Sequence, residues 1–147
     1  MAAKRKITEQ EAYLESAIGR YRPEVGATAR AALAKMRKRF PGARLLVYDR
    51  RQSLPIGFAP NGQGSAIFSI VLYPRWVRFF FLEGAILDDP QGRLEGSGSQ
   101  VRSIRLDPDA AILDDPYICS LMSQALQEAG VDLAQGEGEV VLKTVIQ

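Results

Sequence analysis

The two most apolar segments of the chain follow each other closely, at residues 66–73 and 76–82. Both are rich in branched and aromatic residues, which favour strands. The link between them is too short to hold a crossover helix. Two consecutive strands with a short link form an antiparallel pair. This pair therefore restricts the chain to folds that contain an antiparallel sheet.

Shorter strand-like segments surround this pair. A Gly- and Pro-containing turn signal at residues 60–64 separates the pair from the strands before it. A segment after the pair alternates apolar and polar side chains, as a half-exposed strand does. We therefore expect a mostly antiparallel, five- to six-stranded sheet. The additional strand segments are residues 45–48, 54–58, 101–106 and 139–146.

Three segments have helical periodicity. Thr8 begins a capping box at the start of a first helix, residues 8–19. The apolar residues at helical spacing in this segment include Ile7. Pro23 suits the first turn of a second helix that runs to about Phe40. The third helix covers residues 116–129. Because the helices flank a run of strands instead of alternating with them, the fold class is α+β.

Length and residue usage limit the function. A chain of 147 residues without a linker fits one domain, residues 1–147. Histidine is absent and Cys119 is the only cysteine, so the commonest general base, a disulfide and a Cys-based zinc cluster are missing. We therefore predict a protein that is not an enzyme.

The basic start, residues 1–6, leads into no apolar segment, and we expect a cytoplasmic protein without membrane contact.

The hexapeptide AILDDP occurs twice, at residues 85–90 and 111–116. In the second copy, Asp115 followed by Pro116 is typical of a helix start. In the first copy, Asp89 with the following Pro and Gly is typical of a β-turn. The alternative is a shared site for iron or another divalent cation, because carboxylate oxygens bind such ions; otherwise no cofactor is expected. The metal ligands would be Asp88, Asp89, Asp114 and Asp115.

A Gly-Ser segment at residues 94–102 leads into a strand. Its backbone N–H groups could face an anion, and Arg102 could add a guanidinium group. The segment lacks the Lys and the following helix of a P-loop. In the aromatic run at residues 75–81, most side chains are predicted to form core, with Trp76 the most exposed. The segment and Trp76 are therefore candidates for ligand contact.

Charge is distributed unevenly along the chain. Residues 1–51 carry 13 Lys and Arg against 5 Asp and Glu, whereas residues 52–147 carry 6 against 12. Such polarity can mark an anion-binding face or a solvated helix surface that faces an acidic one. A weak nucleic-acid contact is one alternative, but no helix-turn-helix or aromatic RNA-binding signature supports it. Its cations would be Arg30, Lys35, Lys38 and Arg39.

The centre of the chain resembles the YdhG-like domain family, a bacterial family of largely unknown function. The resemblance lies in residues 77–90, the sequence LEGSG at residues 94–98, and Val101-Arg102. Tyr13, Tyr21, the FPGA sequence at residues 40–43 and Tyr48 also fit the pattern. The resemblance covers residues 10–129 and leaves residues 130–147 as a C-terminal extension with an extra strand. It implies an α/β sandwich with about three helices on one face of the sheet.

Some members of that family are labelled frataxin-like iron chaperones, which implies iron as an alternative ligand. Iron binding of that kind relies on an acidic ridge along the first helix. In this chain the first helix has only Glu9, Glu11 and Glu15 as acids, and the second helix is basic. Ser99 also stands where relatives often have a lysine after the second loop glycine.

The leading hypothesis is a non-catalytic module that binds a small anionic ligand or a protein partner. It would use the loop at residues 84–102 and the sheet edge beside it. A frataxin-like metal carrier and a nucleic-acid binder are the alternatives, and an exposed terminal strand leaves a homodimer open. The candidate ligand-binding residues are Gly84, Asp89, Gly96, Gly98, Gln100, Arg102 and Trp76.

Overall fold

The computed structural model describes residues 8–146. The predictions about residues 1–6 and Ile7 lie outside this range. The described part of the chain contains three α-helices, six strands and two 3₁₀ helices. In chain order these are α1 (Glu9–Gly19), α2 (Pro23–Arg39), β1 (Arg44–Tyr48), β2 (Leu54–Ala59), β3 (Phe68–Leu72), β4 (Val77–Phe81), the first 3₁₀ helix (Gly84–Ile86), β5 (Arg102–Arg105), the second 3₁₀ helix (Ala111–Asp114), α3 (Pro116–Ala129) and β6 (Val140–Thr144).

The six strands form one sheet in the order β5-β4-β3-β2-β1-β6. Neighbouring strands are antiparallel except for β1 and β6, which are parallel. The α+β class and the mostly antiparallel sheet are therefore confirmed. The predicted antiparallel pair is β3 with β4, in a register that sets Phe68 opposite Phe81 and Leu72 opposite Val77.

The helices begin where the sequence predicts. Thr8 is the N-cap of α1 and accepts a hydrogen bond from the Glu11 backbone N–H at 3.1 Å. Pro23 occupies the first turn of α2, where its missing N–H costs nothing. Asp115 caps α3 and Pro116 follows it. None of the helices in the described range is long and apolar enough to cross a membrane.

The main core lies between the helices and one face of the sheet. Alternate residues of each strand point into it, as the period of two requires. In β4 these are Val77, Phe79 and Phe81, each at most 1 % exposed, whereas Phe80 is only half-buried on the other face. Four phenylalanine rings stack or meet edge to face with centroids 5.2–5.7 Å apart; they are Phe40, Phe68, Phe79 and Phe81.

The last strand lies at an edge of the sheet and is tied to β1 by backbone contacts. Before β6, the chain passes close to the turn that follows α2. The Gly42 N–H donates to the Leu133 carbonyl oxygen and the Gly138 N–H donates to the Pro41 carbonyl oxygen, both at 2.8 Å. A Cβ atom on Gly138 would overlap the Ala43 carbonyl oxygen. The close approach of these two segments therefore requires glycine, and it sets the position of β6.

Candidate functional site

The two ends of the predicted loop, residues 84–102, meet at Gly84. A Cβ atom at this position would lie 2.6 Å from the Arg102 Cβ atom, so only glycine allows this approach. Beside it, the Ala85 N–H donates to the Gln100 carbonyl oxygen at 2.9 Å. Gly84 therefore closes the base of the loop.

The Gly-Ser turn is organised around Arg102. Its guanidinium Nη1 donates to the carbonyl oxygens of Gly98 at 2.7 Å and Val101 at 2.9 Å. Gly96 has φ +130°, which favours glycine, and a Cβ atom there would lie 3.0 Å from the Val101 oxygen. An anion held by Arg102 would have to compete with these backbone oxygens, so the direct role of Arg102 stays a prediction.

Asp89 organises the first part of the same loop. Its carboxylate accepts hydrogen bonds from the N–H groups of Arg93 at 3.1 Å and Leu94 at 2.9 Å, and from the Tyr117 hydroxyl. Burial alone would raise the pKa of Asp89, but these hydrogen bonds outweigh it and the pKa is lowered. The predicted β-turn is confirmed by the Gly92 N–H, which donates to the Asp89 carbonyl oxygen at 2.9 Å.

The two copies of AILDDP are joined by Arg93 and Tyr117. The Arg93 guanidinium donates to Asp115 at 3.0 Å and lies 5.4 Å from the centre of the Tyr117 ring. Asp115 also accepts the Tyr117 N–H at 2.9 Å as the cap of α3. Tyr117 in turn donates to Asp89. Asp89 and Asp115, one from each copy, therefore have structural partners, and the network fastens the loop to α3.

Cations and hydrogen-bond donors, not other acids, surround three of the four aspartates proposed as metal ligands, Asp89, Asp114 and Asp115. Asp88 is exposed, and its backbone N–H donates to the Gln124 side-chain oxygen. Asp114 forms ion pairs with Lys35 and Arg39, and these two contacts lower the pKa of Asp114, with Lys35 contributing most. Asp115 is paired with Arg93. Within residues 8–146, no group of three or more acidic or cysteine side chains is arranged to hold a metal ion.

Replacing Asp89 with Asn tests its role in the loop through pH. Because the pKa of Asp89 in the folded protein lies below the ordinary value for aspartate, the stabilisation exists above about pH 4 and is lost as pH falls through the folded-state pKa. We expect Asp89→Asn to lower the free energy of unfolding by about 1–2 kcal/mol at pH 7. As the pH falls from about 5 to 2, the free energy of unfolding of the variant should decline less steeply than that of the wild type.

Urea unfolding, followed by circular dichroism at a series of pH values, measures how the free energy of unfolding depends on pH. Asp109→Asn, at an exposed position, is the control and should follow the wild-type curve. Parallel curves for Asp89→Asn and the wild type at all pH values would contradict the role given to Asp89.

The cations of α2 face acids of the same chain. Arg30 pairs with Glu15 at 2.6 Å, and Arg39 donates to the Leu113 carbonyl oxygen at 2.9 Å besides its ion pair with Asp114. Lys38 is exposed. The charge asymmetry of the chain thus partly reflects contacts between its two halves. This pairing gives no support to a nucleic-acid surface on α2.

Trp76 lies at the opposite end of β4 from the loop at residues 84–102. It precedes β4, and the Arg105 guanidinium lies 5.0 Å from the centre of its ring. In the register of β5 with β4, Arg105 lies opposite Arg78 near the start of β4, whereas Arg102 lies opposite Phe81 at the other end. The side chain is 41 % exposed, as predicted. Trp76 and Arg102 therefore belong to different regions of the surface.

The outer face of the sheet, away from the helices, is concave, and the sequence reasoning missed it. One row of paired residues crosses it from Leu46 through Gly57 and Ser69 to Phe80. The two central residues are small, so the middle of the row is lower than its ends. The resulting cavity has a volume of about 790 Å³. We call it the sheet-face cavity.

Two loops form walls of the sheet-face cavity. On one side, the loop at residues 60–66 folds over the sheet, and Ala66 lies so close to Gly57 that a Cβ there would be 3.0 Å from the Ala66 methyl group. Arg44 holds this loop by donating to the Pro60 carbonyl oxygen at 3.0 Å. On the other side, Gln100 lines the cavity and donates to Glu83 at 2.6 Å. Of the predicted site residues, Gln100 is the one that lines it.

The charges of the sheet-face cavity are mostly positive. Arg44, Arg50 and Lys143 line it, and among the lining residues within 8–146 Glu83 is the one acid. The available signals were the alternation of β1, which places Arg44, Leu46 and Tyr48 on one face, and a glycine inside β2. Periodicity alone could not show that β6 would bring Lys143 to the same face.

Comparisons of this chain with models of known protein families, with curated proteins and with solved structures find no match. The resemblance to the YdhG-like domain family therefore stays a prediction.

Proposed function

We propose that this protein is a non-catalytic binding module that holds a small anionic molecule with an apolar body in the sheet-face cavity. The observation that carries the proposal is a concave, largely apolar floor with cations on its rim. A volume of about 790 Å³ falls in the usual range for small-molecule sites, roughly 300–1,000 Å³. We place the module in the cytoplasm, because a single cysteine suits a reducing compartment.

The floor can accept an apolar body. Leu46 and Val71 are packed among their neighbours with 6 % of their surface exposed, and the half-buried Phe80 completes the row on the far side of Ser69. Contact with such a floor removes apolar surface of the ligand from water, which favours binding by roughly 25 cal/mol per Å². The small side chain of Ser69 leaves the space in which the ligand would lie.

The cations on the rim of the sheet-face cavity would orient the ligand. Lys143 is exposed on β6 and Arg50 follows β1, so both cations stand on the same side of the cavity. An anionic group directed to that side would gain charge-assisted hydrogen bonds. Glu83 already accepts a hydrogen bond from Gln100. Within the described part of the chain, the lining therefore offers no second carboxylate for proton transfer, which supports binding without catalysis.

Two fluorescent dyes test the proposal. One is 8-anilinonaphthalene-1-sulfonate, an anionic aromatic molecule, and the other is N-phenyl-1-naphthylamine, its uncharged counterpart. We expect saturable binding of the sulfonate. Ser69→Leu should abolish binding of both dyes, because the larger side chain fills the cavity. Lys143→Gln should lower the affinity for the sulfonate by about two- to fivefold and leave the affinity for the neutral dye unchanged.

Lys38→Gln is the matched control, since it removes one exposed positive charge from the helical side of the molecule. Near-ultraviolet circular dichroism must show native packing in every variant, because the sulfonate also binds partly unfolded chains. Equal sulfonate binding by the wild type and Ser69→Leu would refute the proposed site.

A further inference from the structure

A second, smaller cavity lies at the end of the sheet where β1 finishes. Its volume is about 270 Å³. It is formed where the α1–α2 turn, the β1–β2 loop, the β3–β4 turn and the residue pair after β6 come together. Arginines dominate its lining, and we call it the arginine cavity. The lining residues are Arg20, Tyr21, Arg22, Arg50, Arg51, Pro74 and Ile146.

Two of the four arginines are held in place. The Arg20 Nη2 atom donates to both carboxylate oxygens of Asp49 at 2.6 Å, and Asp49 also accepts the Tyr13 hydroxyl at 2.7 Å. The Asp49 side chain is completely buried and is paired with Arg20. Burial and then the Asp49 charge raise the pKa of Tyr21 in the cavity lining, so this hydroxyl keeps its proton. The Arg50 guanidinium lies 5.7 Å from the centre of the Tyr48 ring.

The other two arginines have no side-chain partner among the residues that the structure describes. Arg22 and Arg51 are exposed, and within residues 8–146 neither forms a hydrogen bond or an ion pair through its side chain. Arg22 is also the N-cap residue of α2, which has no side-chain cap, so the positive end of that helix points to the same region. Among residues 8–146, no carboxylate side chain lines the cavity.

We propose that the arginine cavity binds the phosphate group of a small phosphorylated molecule. Guanidinium groups present paired donors that match phosphate oxygens, and four of them around one opening suit a doubly charged group better than a carboxylate. The Tyr21 hydroxyl offers a further donor. Arg20 and Arg50 are fixed in advance, whereas Arg22 and Arg51 can close on the anion from the two loops. This site is separate from the sheet-face cavity, although Arg50 lines both.

Calorimetric titration with inorganic phosphate, and then with phenyl phosphate, tests this inference at low ionic strength. We expect one saturable site for each compound. Arg22→Gln and Arg51→Gln should each weaken binding by about tenfold. Because both side chains are exposed and without partners, the variants should fold and melt like the wild type.

Lys38→Gln removes one positive charge outside the cavity and should bind phosphate like the wild type. Ser69→Leu should also bind phosphate normally, which separates this site from the sheet-face cavity. Equal affinities for Arg51→Gln and Lys38→Gln would overturn the inference, since binding would then reflect net charge alone. Loss of phosphate binding in a natively folded Ser69→Leu variant would overturn it as well, by placing the anion on the sheet face.

Discussion

Gly138→Ala is expected to lower the free energy of unfolding by about 3 kcal/mol and to detach β6 from the sheet. The added Cβ atom would overlap the carbonyl group of Ala43, which is backbone and cannot rotate away. Moving apart would break the hydrogen bond from the Gly138 N–H to the Pro41 oxygen. Denaturant unfolding measures the stability, and hydrogen exchange at the Leu45 N–H, which donates to the Glu139 oxygen, measures the detachment.

Gly19→Ala is the matched control. Gly19 is the last residue of α1, its φ is not in the left-handed region, and an added Cβ atom would meet nothing within 4 Å. This change should leave stability the same or raise it by up to about 1 kcal/mol. A Gly138→Ala variant as stable as Gly19→Ala, with unchanged exchange at Leu45, would show that the close approach does not position β6.

Arg20→Gln is expected to lower the free energy of unfolding by about 2–3 kcal/mol. Asp49 is completely buried, whereas the Arg20 side chain is 47 % exposed. Removing the arginine leaves a buried carboxylate with the Tyr13 hydroxyl as its remaining side-chain donor. Water screens the exposed Arg20 guanidinium. The expected loss in free energy of unfolding is therefore small for a pair with a buried carboxylate.

The asymmetry of the pair gives a sharper comparison. Asp49→Asn removes the buried charge and leaves Arg20 able to turn to water, so it should cost less than Arg20→Gln. Arg30→Gln breaks an ion pair with Glu15 in which both side chains are exposed, and it should cost at most about 1 kcal/mol. If Arg20→Gln cost no more than Arg30→Gln, the buried carboxylate would not depend on its partner.

Local signals predicted the elements of this fold because their causes are local. Asp115 followed by Pro116 starts a helix wherever the next residues can continue it. The strands β3 and β4 are joined by a short link, so their pairing needs no information from elsewhere in the chain. The turn at Asp89 is also set within six residues, by its own carboxylate and the N–H groups of Arg93 and Leu94.

The two cavities could not be predicted in this way. The sheet-face cavity depends on Gly57 and Ser69 being neighbours across β2 and β3, which is a matter of register between strands. The arginine cavity draws Arg20 and Arg51 from turns that are separated by a helix and a strand. The sequence instead drew attention to Arg102, because glycines beside an arginine are a local pattern, and its guanidinium bonds to the turn itself.

The parallel pairing of β6 with β1 bears on how the chain folds during its synthesis. Leu45 and Val140 are partners about 95 residues apart along the chain, so this contact closes a long loop and forms slowly. The other strand pairs are complete once β5 has been made. Until residues 140–144 follow, the outer edge of β1 has unpaired N–H and C=O groups, and such an edge recruits strands from other molecules. A chain released before residues 140–144 were added would therefore have five paired strands and an exposed edge on β1 that is prone to aggregation.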